Sequence, residues 1–147
     1  MQLSSTAFQE GAVIPVVHTG DGQDRSPPLT WSGAPGAAKS FALVCDDPDA
    51  PRGTWVHWVL FNLPADQHEL PAGGPLPPGA LQGKNDFGKL GYGGPAPPRG
   101  KPHRYYFRVY ALDTILSLPE GATKPQLEQA MKGHILATGQ LMGKYSR

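Results

Sequence analysis

Cysteine is nearly absent from this 147-residue chain. The single one, Cys45, excludes an internal disulfide and any cysteine-rich zinc site. It closes the apolar run Phe41-Ala42-Leu43-Val44-Cys45 with no Lys or Arg nearby in sequence, so a buried, unreactive thiol is expected. Long hydrophobic runs are missing as well. No stretch approaches the roughly 20 apolar residues of a membrane span. Met1 to Gly11 has neither a basic start nor an apolar stretch of signal-peptide length. A cytoplasmic protein without membrane insertion is the expectation. Nor is there an excess of charge of one sign: 13 Lys+Arg against 12 Asp+Glu leave +1, which gives no support for a nucleic-acid partner. There is no G-x-S-x-G elbow, no H-E-x-x-H, no phosphate loop of the G-x-x-x-x-G-K-[ST] type and no G-x-G-x-x-G after a strand. Those enzyme classes are set aside, and a non-enzymatic protein needing no cofactor is expected.

Glycine and proline are what the chain has in abundance, 19 and 17 residues respectively. They alternate with short aromatic and β-branched runs, a pattern of many turns joining short strands. Ser40–Cys45, Trp55–Asn62 and Arg104–Leu112 read as strands, the last with Tyr105, Phe107 and Val109 on one face. In the second, period-two alternation puts His57 on one face with Trp55 and Val59. Ala12–Val17, interrupted by Pro15, is at best an edge strand. The Gly/Pro segment from Leu63 to Lys101 is far longer than a connection needs, and such loops tend to be functional. Only the C-terminus reads as helix. Thr123-Lys124-Pro125-Gln126 is a capping box, followed at helical spacing by Leu127, Met131, His134, Ile135 and Thr138, with Leu141 and Met142 beyond. Gly133 and Gly139 are placed to break that run into two short helices. Residues 1–147 form a single domain on this reading, mainly β with a C-terminal helical segment.

Three polar stretches stand at strand and loop junctions. Asp46-Asp47-Pro48-Asp49-Ala50-Pro51 places acids in a proline-fixed turn after the first clear strand. A cis bond at Asp47–Pro48 or Ala50–Pro51 is expected there. His57 lies in Trp55-Val56-His57-Trp58, and His103-Arg104-Tyr105 opens the third strand. Taken singly they read first as a solvated acidic turn, a core histidine and an ordinary strand start.

In their order along the chain, however, Asp47-Pro48-Asp49-Ala50-Pro51, Trp55-x-His57-Trp58, Gly91-Tyr92-Gly93-Gly94-Pro95-x-Pro97-Pro98 and His103-Arg104-Tyr105 resemble the phosphatidylethanolamine-binding protein family, in particular its bacterial Raf-kinase-inhibitor-like branch. Ser26-Pro27-Pro28-Leu29-Thr30-Trp31, Asn85-Asp86-Phe87-Gly88 and Gly133-His134-Ile135-Leu136-Ala137 fit the same branch, so the similarity runs over nearly the whole chain. The resemblance implies a two-sheet antiparallel β-structure of Greek-key character closed by a C-terminal helix. It also implies a small pocket for anions such as phosphate, lined by Asp47, Asp49, Pro51, Trp55, His57, Gly94, His103 and Tyr105. Histidines and Tyr105 would donate to the anion, the Asp carboxylates would orient the histidines and raise their pKa, and Trp55 with the prolines would supply an apolar wall. By analogy with the family name, a kinase or protease is the implied protein target. Bacterial relatives often carry a pair of cysteines where this chain has Gly20 and Ala96, so no thiol chemistry is expected here. Tyr145 is left without a role.

Two other functions compete with an anion binder. Asp47, Asp49, His57 and His103 are the right donors for Zn²⁺ or Mn²⁺ in a metal-dependent hydrolase. An interaction scaffold with a vestigial pocket is the other, and an exposed strand edge is able to pair in a homodimer.

Overall fold

The computed structural model describes residues 1–147. Eight strands, one short α-helix and a 3₁₀ turn at Val16–His18 make two antiparallel sheets. The small sheet joins β1 (Gln2–Ser4), β2 (Leu29–Ser32) and β5 (Glu69–Leu70). The large one runs in the order β6 (Leu81–Gln82), β4 (Trp55–Pro64), β3 (Ser40–Asp47), β7 (His103–Leu112) and β8 (Ile135–Tyr145). Helix α1 spans Lys124–Met131.

Strand β3 sits at the centre of the large sheet and is buried along its whole length. On the front face, Phe41, Leu43 and Cys45 join Trp58, Leu60, Phe107 and Val109 against Leu3, Leu29 and Trp31 of the small sheet. On the back face, Ala42 and Val44 join Val56, Val59 and Phe61 under Leu127 and Met131 of α1. Covering both faces explains why β3 reads as an unbroken apolar run and not as an alternation. Burial at 1% exposure pushes the Cys45 thiol well above its ordinary pKa, as expected for an inert core cysteine.

Strand β4 alternates less simply. Cys45 pairs with Trp58 and the next residue, Asp46, pairs with Val56, leaving His57 as the extra residue of a β-bulge. Trp58 therefore faces front and Val59 and Val56 face back, while His57 swings to the front beside Tyr105. Strict alternation, which grouped His57 with Val59, fails at that one residue. A second irregularity leaves Asn62 in a left-handed conformation (φ 57°), its side chain held by the backbone of Leu116.

The C-terminal reading needs correction. The capping box is present, Thr123 and Gln126 bonding each other's backbone, but the helix ends at Met131. Gly133, at φ 82°, turns the chain, and Ile135–Tyr145 continue as the 11-residue β8. The helical spacing of Ile135, Thr138 and Leu141 is outweighed by an unpaired edge: β7 offers β8 a continuous register from His103–Tyr145 to Ala111–Ala137, and after a bulge at Leu136 the pair Leu112–Ile135. Gly143 lets Phe8 and Ile14 close over β8, since a Cβ there would stand 2.6–2.7 Å from both side chains. Of the candidate edge strand, Val13 alone makes a bridge, parallel to Lys144.

The expected cis bonds are also absent. The acidic turn closes with trans prolines because Asp47 Oδ1 accepts from the Asp49 backbone N–H at 2.7 Å. The one cis peptide bond is Gly74–Pro75.

Candidate functional site

At one end of the large sheet, the ends of β3, β4 and β7 and the loop at residues 96–98 enclose a cavity of about 210 Å³. Asp47, Pro51, Trp55, His57, His103 and Tyr105 line it, six of the eight expected residues. Ala50, Phe87, Ala96, Pro97 and Pro98 complete the wall.

Each imidazole is anchored through Nδ1. In His103, Nδ1 lies 2.7 Å from Asp47 Oδ2, and in His57 Nδ1 lies 2.6 Å from the Gly93 carbonyl. Both partners are acceptors, so Nδ1 carries the proton in each ring and Nε2 is the free nitrogen. A neutral ring then presents Nε2 as an acceptor, and only the imidazolium presents it as a donor. Asp47 therefore orients His103 as expected. His57 has no carboxylate partner. Burial pushes its imidazole below the ordinary histidine value, with the Gly93 carbonyl and the Asp47 and Asp46 charges offsetting only part of that effect. The expectation of a raised His57 pKa is overturned by desolvation.

Tyr105 forms part of the same wall with its ring edge-on to His57, 5.2 Å between centroids. Its hydroxyl is buried without a hydrogen-bond partner. Burial, helped by the nearby Asp47 charge, pushes that hydroxyl well above the usual tyrosine range, so it stays an O–H donor. Trp31 Nε1, the other unpartnered buried donor, lies in the core between the sheets. At the rim, Trp55 and Phe87 stack edge-to-face at 5.4 Å and stay 38% and 42% exposed, an apolar lip beside Pro51, Pro97 and Pro98.

Two expected residues stand elsewhere. Asp49 turns away from the cavity onto Arg104, which binds it through Nε, Nη2 and the backbone N–H and holds its carboxyl down at about 2. Gly94 supports the wall from behind. Its N–H donates to Asp24 Oδ1, and a Cβ would meet His18 O and Thr19 Cα at under 3 Å, so only glycine fits. Phe87 is placed by Asn85, whose Oδ1 accepts from the Phe87 and Lys89 N–H groups while its Nδ2 donates to Gly91 O. Asn85, which opens the motif Asn85-Asp86-Phe87-Gly88, was the available signal. Tyr145 donates to Asp21 and does not enter the cavity.

The four donors of a hydrolase centre do not converge, since Asp49 is committed to Arg104. Across the chain, no three His, Cys, Asp or Glu side chains are placed to share a metal ion. No helix is long and apolar enough to cross a membrane.

Residues 4–146 match the family model for phosphatidylethanolamine-binding protein. The chain belongs to that family. Among its relatives, a UPF0098 protein of Methanothermobacter thermautotrophicus is 52% identical over 151 aligned positions that span 100% of this chain and 99% of the relative. A crystal structure of a phosphatidylethanolamine-binding protein homolog from Chlamydia trachomatis, CT736, superposes with a TM-score of 0.94 at 46% identity, covering 99% of this chain and 97% of that one. Escherichia coli YbcL, described as a member of the mammalian family, gives 0.93 at 38% identity over 99% and 98%. The two-sheet antiparallel architecture is thus that of the phosphatidylethanolamine-binding proteins.

Proposed function

We propose that this family member is a non-catalytic binder of a phosphoryl group. The observation that carries the reading is the pairing of an orphan donor with two pre-set imidazoles: Tyr105, whose buried hydroxyl has no protein partner, lines the same cavity as His57 and His103, whose Nδ1 atoms are already committed. A buried hydroxyl left unpaired costs the folded state about 1–3 kcal/mol, and an oxyanion in the cavity offsets that cost. A phosphomonoester matches the set closely. Its oxygens accept from Tyr105 and from imidazolium Nε2–H, and as a monoanion its own P–OH donates to whichever imidazole is neutral. The apolar lip of Trp55, Phe87 and the prolines suits the carbon chain that bears the phosphate.

The neutral His103–Asp47 pair carries a net negative charge and repels an anion, whereas the protonated pair is neutral and donates. Anion binding is therefore coupled to proton uptake, and affinity falls as pH rises and imidazolium is lost. The His57 imidazole, held low by burial, limits the tightest binding to the acid side of the ordinary histidine value.

Calorimetric titration with sulfate, whose charge is fixed between pH 5.5 and 8.5, tests this. Saturable binding at pH 5.5 that weakens steadily toward pH 8.5 is expected. His57→Ala and His103→Ala should each lose roughly tenfold to a hundredfold in affinity, the worth of one charge-assisted hydrogen bond. His68→Ala, remote from the cavity, should lose nothing. Flat affinity with pH, or equal losses from all three substitutions, would overturn the reading. Turnover of a phosphomonoester by the wild type that disappears in His103→Ala would replace it with a catalytic one.

A further inference from the structure

His57 touches no carboxylate, yet one reaches it through a single peptide group. The amide that joins Gly93 to Gly94 is bonded at both ends: its carbonyl accepts from His57 Nδ1–H at 2.6 Å, and its N–H donates to Asp24 Oδ1 at 2.7 Å. His103 meets Asp47 directly, Nδ1 to Oδ2 at 2.7 Å. Both imidazoles of the cavity are therefore backed by a carboxylate, one in contact and the other one amide further on.

That amide is held in line from several sides. Gly93 also donates its own N–H to His57 O at 2.9 Å, so the two residues exchange a pair of bonds. Along the same segment, the Tyr92 hydroxyl donates to His18 O and the Pro95 carbonyl accepts from the Gly20 N–H. A Cβ on Gly93 would stand 2.5 Å from the Phe87 ring, and one on Gly94 would stand 2.5 Å from Asp24 Oδ1, so only the glycine pair passes between them. Asp24 takes a left-handed backbone, φ 58°, to present its carboxylate, and it forms no ion pair.

An amide is polarisable along its N–H to C=O axis. A full negative charge on the N–H draws electron density onto the carbonyl oxygen, and bonded chains strengthen one another in this way. The Gly93 oxygen therefore holds an imidazolium better than an ordinary backbone carbonyl would. Asp24 is exposed, so solvent screens its direct field and the bonded route carries most of what reaches the ring. The other charged or titratable groups around His57 are Asp46 and Asp47 on β3, His103 and Tyr105 on β7, and Asp86, whose Oδ2 accepts from the Val56 N–H. Burial outweighs all of them, and Asp24 is among the charges that oppose it.

We propose that Asp24 is a positioning residue of the anion cavity: through the Gly93–Gly94 peptide it fixes the His57 ring and favours the protonated form that donates to an anion. The role in anion binding rests on the phosphoryl reading of the cavity, whereas the effect on His57 does not.

Asp24→Asn separates charge from shape, since asparagine tolerates the left-handed backbone and keeps an oxygen for the Gly94 N–H. When the His57 imidazole is followed by NMR across pH, the variant should bind its proton about threefold more weakly, with His103 unmoved. Calorimetric sulfate affinity at pH 6 should fall by a similar factor. The sign separates the relay from bare charge, because removing a negative charge near an anion site tightens binding by Coulomb's law alone. Asp86→Asn, which lies off the relay, should tighten it by less than about twofold. Asp24→Gly suits the backbone, removes the acceptor as well, and should lose at least as much as Asp24→Asn. An unchanged His57 titration in Asp24→Asn, or sulfate binding that tightens, would overturn the inference and leave the phosphoryl pocket standing. A wild type that binds no sulfate would overturn the phosphoryl reading instead, and the His57 titration alone then judges the relay.

Discussion

The two ends of the large sheet are built from the same three strands and could hardly differ more. At the end where β3 begins, Phe41, Leu63, Ala111 and Leu112 are fully buried, and the polar Ser40 has its hydroxyl donated to Thr114 O. These strand residues are all packed or paired. At the other end Asp46, Asp47, His57 and His103 are buried, a cavity is lined by the last three, and one hydroxyl has no partner. Asp46 is satisfied by Arg108 and Lys124 on the back of the sheet. The histidines are satisfied only through Nδ1, by Asp47 and by the Gly93 carbonyl. One end holds the fold closed, and the other spends part of that stability on a site.

The sharpest way to break this comparison is a truncation at the closed end. Phe41→Ala removes a fully buried ring and should cost about 4 kcal/mol of unfolding free energy, with sulfate affinity unchanged while the protein stays folded. Denaturant unfolding beside calorimetry checks both halves, and a loss of sulfate binding in the folded variant would show that the ends are not independent.

Next in size is a staple across the wall of the open end. A Cβ on Gly20 would lie 3.3 Å from Ala96 Cβ, just under the Cβ separation of a disulfide, so the two positions are in contact. Gly20→Cys/Ala96→Cys should form a bridge under oxidising conditions and raise stability by about 2–4 kcal/mol, reversibly with reductant. Sulfate binding that is lost on oxidation would mean the wall must move for a ligand to enter.

A smaller and more diagnostic effect belongs to Tyr105→Phe. Removing an unpartnered buried hydroxyl should stabilise the free protein by about 1 kcal/mol, while weakening sulfate binding roughly fivefold. Stability and binding should move in opposite directions at this residue and together nowhere at the closed end. Destabilisation by Tyr105→Phe would show that the hydroxyl already has a partner, such as an ordered water.

The smallest effect is a slope. Burial lowers the His57 pKa in the folded state, so the unfolded chain binds the proton more tightly. Stability should accordingly be full above the unfolded histidine value near ~6.5 and decline as pH falls below it, and His57→Ala should flatten that decline. Added sulfate, which favours the imidazolium, should oppose it. A wild-type slope of the opposite sign between pH 5 and 7 would place His57 with a stabilising anionic partner instead.

Much of this comparison is legible in the bare sequence, and the exceptions are instructive. The three central strands announce themselves through apolar runs bounded by turn residues, and the capping box marks the start of α1. Strand β8 does not, because its front-facing Leu141 and its glycines satisfy a helical spacing equally well, and only the open edge of β7 decides. Within the site, Asp47, Pro51, Trp55, His57, His103 and Tyr105 are found through ordered motifs that no single residue would justify. Asp49 and Gly94 belong to the same motifs yet serve the frame: a motif records which residues must be together without saying which of them faces the ligand. Phe87 reaches the cavity from a loop whose direction depends on Asn85, a side-chain bond that no periodicity encodes.

The bulge at His57 bears on how such a site can be gained or lost. A strand can be thought of as read in a two-letter frame, front and back, and one surplus residue shifts the frame for everything on its far side. Val56 and Val59 keep the back face covered because the slip occurs between them, and the slipped residue itself is delivered to the front. Excising His57 would therefore do what no point substitution does. The two frames would merge into a regular ladder, the hydrophobic cover on both faces would survive, and the pocket would lose its histidine without leaving a hole in the sheet. A fold whose cavity-lining histidine sits on such a slip has a one-codon route between a pocket with that histidine and one without it.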